Sequence, residues 1–217
     1  VEAAVADEVR LFERVFGESP RVAVPPTFVW TAEVEGAWAR EGIEFVVTPG
    51  LRSACRNATG LPDCDSGPFR NGEPGVGVTY LVRDDYFEPE RGHRAERALQ
   101  ALTAKTNQGR PCLLETHRSN FIGDASVAEN ALGELERLCD RALARHPELR
   151  FVSTEALGRA IRQNDPDWIE RRLLPNISAW LERIRTIQGF WRLTRVTGLV
   201  WMVNIIQLLV RISQTRS

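Results

Sequence analysis

Residues Arg110 to Gly123, RPCLLETHRSNFIG, set Glu115, His117, Arg118 and Asn120 within one short stretch. A histidine exchanges protons near neutrality, which suits it to donating to a leaving amine or alkoxide. Side chains two residues apart on a strand share a face. Glu115 is therefore expected beside His117, where a carboxylate favours the protonated imidazole. On this reading His117 and Glu115 are the catalytic pair. Arg118 and Asn120 are expected to hold carboxylate, acetyl or hydroxyl groups of a sugar.

Other segments are expected to face the same rim. Arg83 and Asp84 follow the apolar run VGVTYLV, and Glu88 comes soon after. Trp30 and Phe28, just beyond Pro25-Pro26, are suited to stacking on a sugar face, with Pro25 lining the contact. Glu115 and Glu88 also form a candidate pair for metal-free glycoside hydrolysis, which requires two carboxyl groups roughly 5–10 Å apart.

These groups need elements to position them. Apolar spacing predicts helices over 3–16, from Thr31 as N-cap, over 90–108, 125–145 and 154–162. In the 125–145 helix Ala128, Ala131, Leu132, Leu135, Leu138 and Leu143 are expected to face inward. Glu33 and Glu35 fall in the dipole-favoured first turn of the helix after Thr31. Strands are expected over 21–24, 44–48, 76–82, 111–114 and 150–152, with 51–75 a long Gly/Pro/Asn/Asp-rich loop. Asp165-Pro166 should restart the chain as a helix. Strands alternating with helices argue for an α/β protein with a parallel sheet built from crossover units.

The chain has 217 residues, 43% hydrophobic and 26% charged, a globular composition. Its net charge of −1 hides an asymmetry: residues 171–217 carry eight Arg against Glu182 alone, +7, which leaves −8 on the first 170. The body should repel nucleic acid, while the tail favours an anionic surface. Residues 196–210 lack charge but include Asn204 and Gln207, too short and polar to span a bilayer. An interfacial amphipathic helix over 185–212 fits, with Arg185, Arg192, Gln207 and Arg211 broadly on one side. A helix packed on another portion of the same protein is the alternative. Cys112 and Cys139 read as core thiols, and Cys55 and Cys64 could pair in an oxidising compartment. No signal peptide is visible at Val1, and the sequence reads as a piece of a longer chain. Asn57-Ala58-Thr59 and Asn176-Ile177-Ser178 match the glycosylation pattern, which is common by chance.

Four stretches then occur in a telling order: VAVPPTFVW with a helix and GIEFVVTPG; YLVRDDYFEPERG; LLETHRSNFIG; and HPELRFVSTEALG. Together, over residues 1–163, they resemble the C-terminal half of the polysaccharide deacetylase-like (NodB-homology) glycoside hydrolase/deacetylase barrels. The basic helical tail, 164–217, lies outside that pattern. The resemblance implies a partial (β/α) barrel of parallel strands, a deformed TIM-like architecture, followed by C-terminal helices. It places His117 as the family's proton-donating histidine in Leu-x-His, with Glu115 where the family has Leu. Ala23 to Thr27 map onto the family's Arg-x-Pro-x-Gly, with Ala23 and Thr27 in place of Arg and Gly.

The family's zinc ligands, in an early acidic pair and an H-x-x-x-H helix, do not occur in these residues. The resemblance therefore implies no cofactor in this chain and zinc only in a full-length parent. It implies a fragment of a carbohydrate-active hydrolase whose partner is an acetylated or acidic polysaccharide or oligosaccharide. A non-catalytic carbohydrate-binding or scaffold protein of membrane-associated polysaccharide assembly is the alternative. A cytoplasmic location is the expectation, with the tail as the segment that would touch the inner membrane.

Overall fold

The computed structural model describes residues 1–202, 204–206 and 208, without the side chains of residues 64, 65 and 188. The elements run α1 (Glu2–Phe16), β1 (Val22–Ala23), α2 (Ala32–Arg40), β2 (Phe45–Thr48), β3 (Arg52–Arg56), β4 (Pro62–Ser66) and β5 (Thr79–Val82). There follow β6 (Asp85–Tyr86), α3 (Ala95–Asn107), β7 (Leu114–Glu115, where a strand is expected over 111–114), α4 (Ala125–Arg145), α5 (Thr154–Gln163), α6 (Leu173–Thr186) and α7 (Gln188–Val196). Two compact units result. The first joins Val1–Asp85, Leu113–Glu115 and Glu148–Trp168; the second joins Tyr86–Cys112, Thr116–Pro147 and the chain from Ile169.

The protein is mixed α/β. In the first unit a parallel three-stranded sheet runs β1-β2-β5, with Val22 opposite Phe45 and Phe45 opposite Thr79. A parallel sheet is stable when both faces are covered, and the pleat of β2 serves both. Val46 joins Val5, Trp30, Ala37, Trp38, Ile43, Val78 and Tyr80 in one apolar layer. Its neighbour Phe45, fully buried, points the other way, onto Gly158 of α5. Any Cβ at position 158 would lie 2.5 Å from the Phe45 ring, so glycine sets how closely α5 approaches the sheet. Arg162 of α5 stacks over the same ring at 4.8 Å and pairs with Glu44. Among the described residues this sheet is open; no barrel closes.

Helix starts follow local chemistry. Thr31 accepts from the Val34 N–H and begins α2 as expected, and Ser153 does the same for α5 through Ala156. Glu33 and Glu35 lie in the first turn of α2 as expected, and Glu35 has a further role there. It is fully buried and accepts hydrogen bonds from Trp30 Nε1 (2.7 Å), Tyr80 Oη (2.6 Å) and the Val76 N–H (2.9 Å). Burial pushes its carboxyl up, but these donors and Arg52 at 3.3 Å outweigh it and hold it below the usual range. Tyr80 is driven the opposite way, first by burial and then by the Glu35 carboxylate.

Several expected elements change. Residues 51–75 contain an antiparallel hairpin, β3-β4, where a loop is expected. Its turn is organised by Asn57, whose Oδ1 accepts from the N–H groups of Thr59 and Leu61, with Gly60 at positive φ. The 76–82 strand is confined to β5, because Gly77 at φ +75° bends its start. Residues 150–152 form no strand: Phe151 and Val152 are exposed, so no burial supports one. The helix expected from Pro166 is a turn in which Asp165 Oδ1 accepts from the Asp167 N–H, and α6 begins only at Leu173.

In the second unit α3 and α4 pack through Ala98, Leu99, Ala131, Leu138 and Ala142. The buried face of α4 is rotated from the expected one, leaving Leu132, Leu135 and Leu143 exposed. Glu134 turns inward instead, because its carboxylate accepts from the Ala95 N–H at 2.9 Å and satisfies the start of α3. The 185–212 segment is also not one helix. It breaks at Ile187 and again at Thr197-Gly198, where Gly198 takes φ +71°. No helix among the described residues is long and apolar enough to cross a membrane. Gln207, Arg211 and the Cys64 side chain of the possible Cys55 pair lie outside the described residues.

Candidate functional site

His117 takes an extended backbone just before the short 3-10 turn Arg118–Asn120. Its Nδ1 meets the Glu88 carboxylate. Glu88 is 3% exposed in its side chain and His117 53%, so a buried acid holds a half-exposed imidazole. An ionised carboxylate only accepts hydrogen bonds. The contact places a carboxylate beside Nδ1, on the opposite side of the ring from Nε2. Glu88 is itself fixed. Its backbone exchanges two hydrogen bonds with His93, each 2.9 Å, and Arg91 Nε stands 3.3 Å from its Oε2.

Asn120 is expected to touch substrate but is 2% exposed, and its amide donates to the His117 carbonyl at 3.0 Å. Its contribution is to tie the turn that carries the imidazole. Arg118, in that same turn, is exposed. Glu88, His117, Arg118 and Asn120 thus form one cluster within the second unit.

The remaining candidates belong to the first unit. Glu115 faces Arg83, whose Nε lies 2.8 Å from its Oε2, and the Arg83 guanidinium stands 4.8 Å above the Phe28 ring. Asp84 binds its neighbouring segment through backbone and side chain: its N–H donates to the Leu113 carbonyl (2.8 Å), and its Oδ2 accepts from the Leu113 N–H (2.9 Å). Two expectations need correcting. Trp30 is 3% exposed and spends its indole N–H on Glu35, so it offers no face for a sugar. Pro25 is fully buried and lines the core rather than a surface.

No family model matches this sequence, and neither curated proteins nor solved structures return a match.

The zinc implied by the family resemblance is not accommodated by the residues present. Among the described residues no three His, Cys, Asp or Glu side chains form a group able to hold a metal. Two of the three histidines have polar partners, His117 with Glu88 and His146 Nε2 with Thr103 Oγ1 at 3.3 Å, while the His93 ring lies 5.8 Å from that of Tyr86. The cluster sets an imidazole held by a buried carboxylate beside an exposed arginine.

Sequence spacing misses the Glu88–His117 pairing, since 29 residues separate the partners. The available signal is Glu88 itself, an acid inside the apolar and prolyl run YFEP, where burial demands a partner.

Proposed function

We propose that this chain is part of a carbohydrate-active hydrolase of the polysaccharide deacetylase type, acting on an acetylated or acidic glycan. In this reading the β1-β2-β5 sheet and its covering helices belong to the C-terminal portion of a deformed barrel. His117 is the proton-transfer group, and Arg118 contacts the sugar. The observation that carries the reading is the pairing of buried Glu88 with the half-exposed imidazole. A carboxylate on Nδ1 fixes the tautomer and stabilises the imidazolium, so that Nε2 can protonate a leaving amine or alkoxide. The ordered motifs quoted above, and the basic guanidinium one residue away, agree with a glycan ligand.

Titrating the chain with tetra-N-acetylchitotetraose, followed by saturation-transfer NMR, tests this. Binding is expected for the wild type. Arg118→Ala is expected to weaken it about tenfold, the scale of one charge-assisted hydrogen bond, while the melting temperature stays unchanged. No binding by the wild type contradicts the reading, as does an Arg118→Ala variant that melts early but binds normally. Wild-type binding that His117→Gln and Glu88→Gln both leave unaltered favours a non-catalytic carbohydrate-binding protein.

A further inference from the structure

The C-terminal helices present an apolar face flanked by arginine. In α7 the turn of the helix separates three faces. Trp191 and Thr194 face the protein, with Thr194 buried and Arg185 of α6 standing 5.4 Å over the Trp191 ring. Arg192 and Arg195 occupy the next sector and are exposed. Phe190, Leu193 and Val196 form the third, all exposed and Val196 the most of any, at 82%. Spacing of three residues puts them in one stripe.

After the bend at Gly198 the pattern recurs. Residues 200–202 and 204–206 are helical, and Trp201, Ile205 and Leu208, spaced four and three apart, are all exposed, with Met202 beside them. Arg185 also donates to Asn204 Oδ1 at 3.0 Å, which ties this second segment to α6. The acid of this region, Glu182, is held by Arg185 at 2.8 Å. The surface thus combines large aliphatic and aromatic side chains with the positive charge of Arg192 and Arg195, the latter also 5.7 Å over the Trp191 ring.

We propose that α7 and the described residues after Gly198 dock on an anionic lipid surface, with Phe190, Leu193, Val196, Trp201, Ile205 and Leu208 entering the acyl boundary and Arg192 and Arg195 contacting headgroup phosphates. The sign of the charge selects this occupant. A second copy of the chain would bring Arg192 and Arg195 against their own equivalents, a repulsion with no acid there to relieve it. An anionic bilayer supplies both the hydrocarbon and the counter-charge, the conditions under which amphipathic helices bind membrane interfaces. The bend at Gly198 lets two short helices lie against one surface in place of a single spanning one.

The test is flotation of the full chain with phosphatidylcholine vesicles and with vesicles about one third phosphatidylglycerol, at low and high salt. The chain is expected to float with the anionic vesicles and to remain behind with the neutral ones, and high salt should weaken the association. Arg192→Glu combined with Arg195→Glu should lower partitioning at least tenfold, given the attraction of each basic residue to such a surface. Val196→Ser, at an exposed position, should lower it without altering circular dichroism. In the wild type, brominated lipid should quench tryptophan fluorescence, a readout that depends on no variant. Failure to float, equal flotation with both vesicle types, charge-reversed protein that binds like the wild type, or self-association that Val196→Ser abolishes without vesicle binding overturns the proposal.

Discussion

Glu88 and Glu35 are both buried carboxylates, yet they serve different ends. Glu88 pairs with an imidazole that reaches solvent, and in the proposed function it orients that ring for proton transfer. Glu35 is enclosed by Trp30, Tyr80, Val76 and Arg52 and holds α2, β5 and the hairpin in register. A carboxylate whose donors depress its pKa below the unfolded value stabilises the fold above the ordinary glutamate range, and that stability is lost as pH falls through the lowered value. Replacing it with Gln should therefore narrow the gap in melting temperature between variant and wild type as pH drops from neutrality into that acid range. A gap independent of pH would show that Glu35 does not titrate with folding. Removing the Tyr80 hydroxyl by Tyr80→Phe takes away one donor to a buried charge, and urea unfolding should show a loss of about 1–3 kcal/mol.

At the scale of elements, α5 stands or falls on its approach to β2. Gly158→Ala in an exposed helix would gain roughly 1 kcal/mol from propensity. Here the new methyl meets the Phe45 ring, which is fully buried, so a net loss of about 1–3 kcal/mol is expected from the overpacked contact. Thermal unfolding checks the sign, and a stabilised variant would mean α5 sits farther from the sheet than described. The same elements show what the amino-acid order reveals. α1, α2 and α4 are readable because apolar period and capping residues both act locally. The β3-β4 hairpin is not, since its Gly/Pro/Asp content resembles a loop and its pairing depends on one Asn57 turn. The α4 face misleads because Glu134 is drawn inward by an unsatisfied N–H on α3, a partner 39 residues away. The functional cluster divides in the same manner: the HRSN run is visible as a motif, but Asn120 and Trp30 are claimed by backbone and core, which spacing does not show.

Across the whole molecule, charge and chemistry are segregated along the chain. An acidic body carries the parallel sheet and the imidazole cluster, and a basic tail of short helices carries exposed Trp, Leu and Val. A glycan-processing protein held at a lipid surface would use both parts, and each is separately testable because Arg118 and Arg192 lie in different segments. That a glycan meets the imidazole held by Glu88 is tested most directly by nitrogen-15 NMR of the histidine rings. In the free chain the His117 signals should be those of an Nδ1-protonated ring and should lose that signature in Glu88→Gln. Adding tetra-N-acetylchitotetraose should shift the His117 Nε2 resonance while those of His93 and His146 stay in place. A His117 Nε2 signal unmoved at saturating ligand would contradict the assignment of this residue to the glycan site.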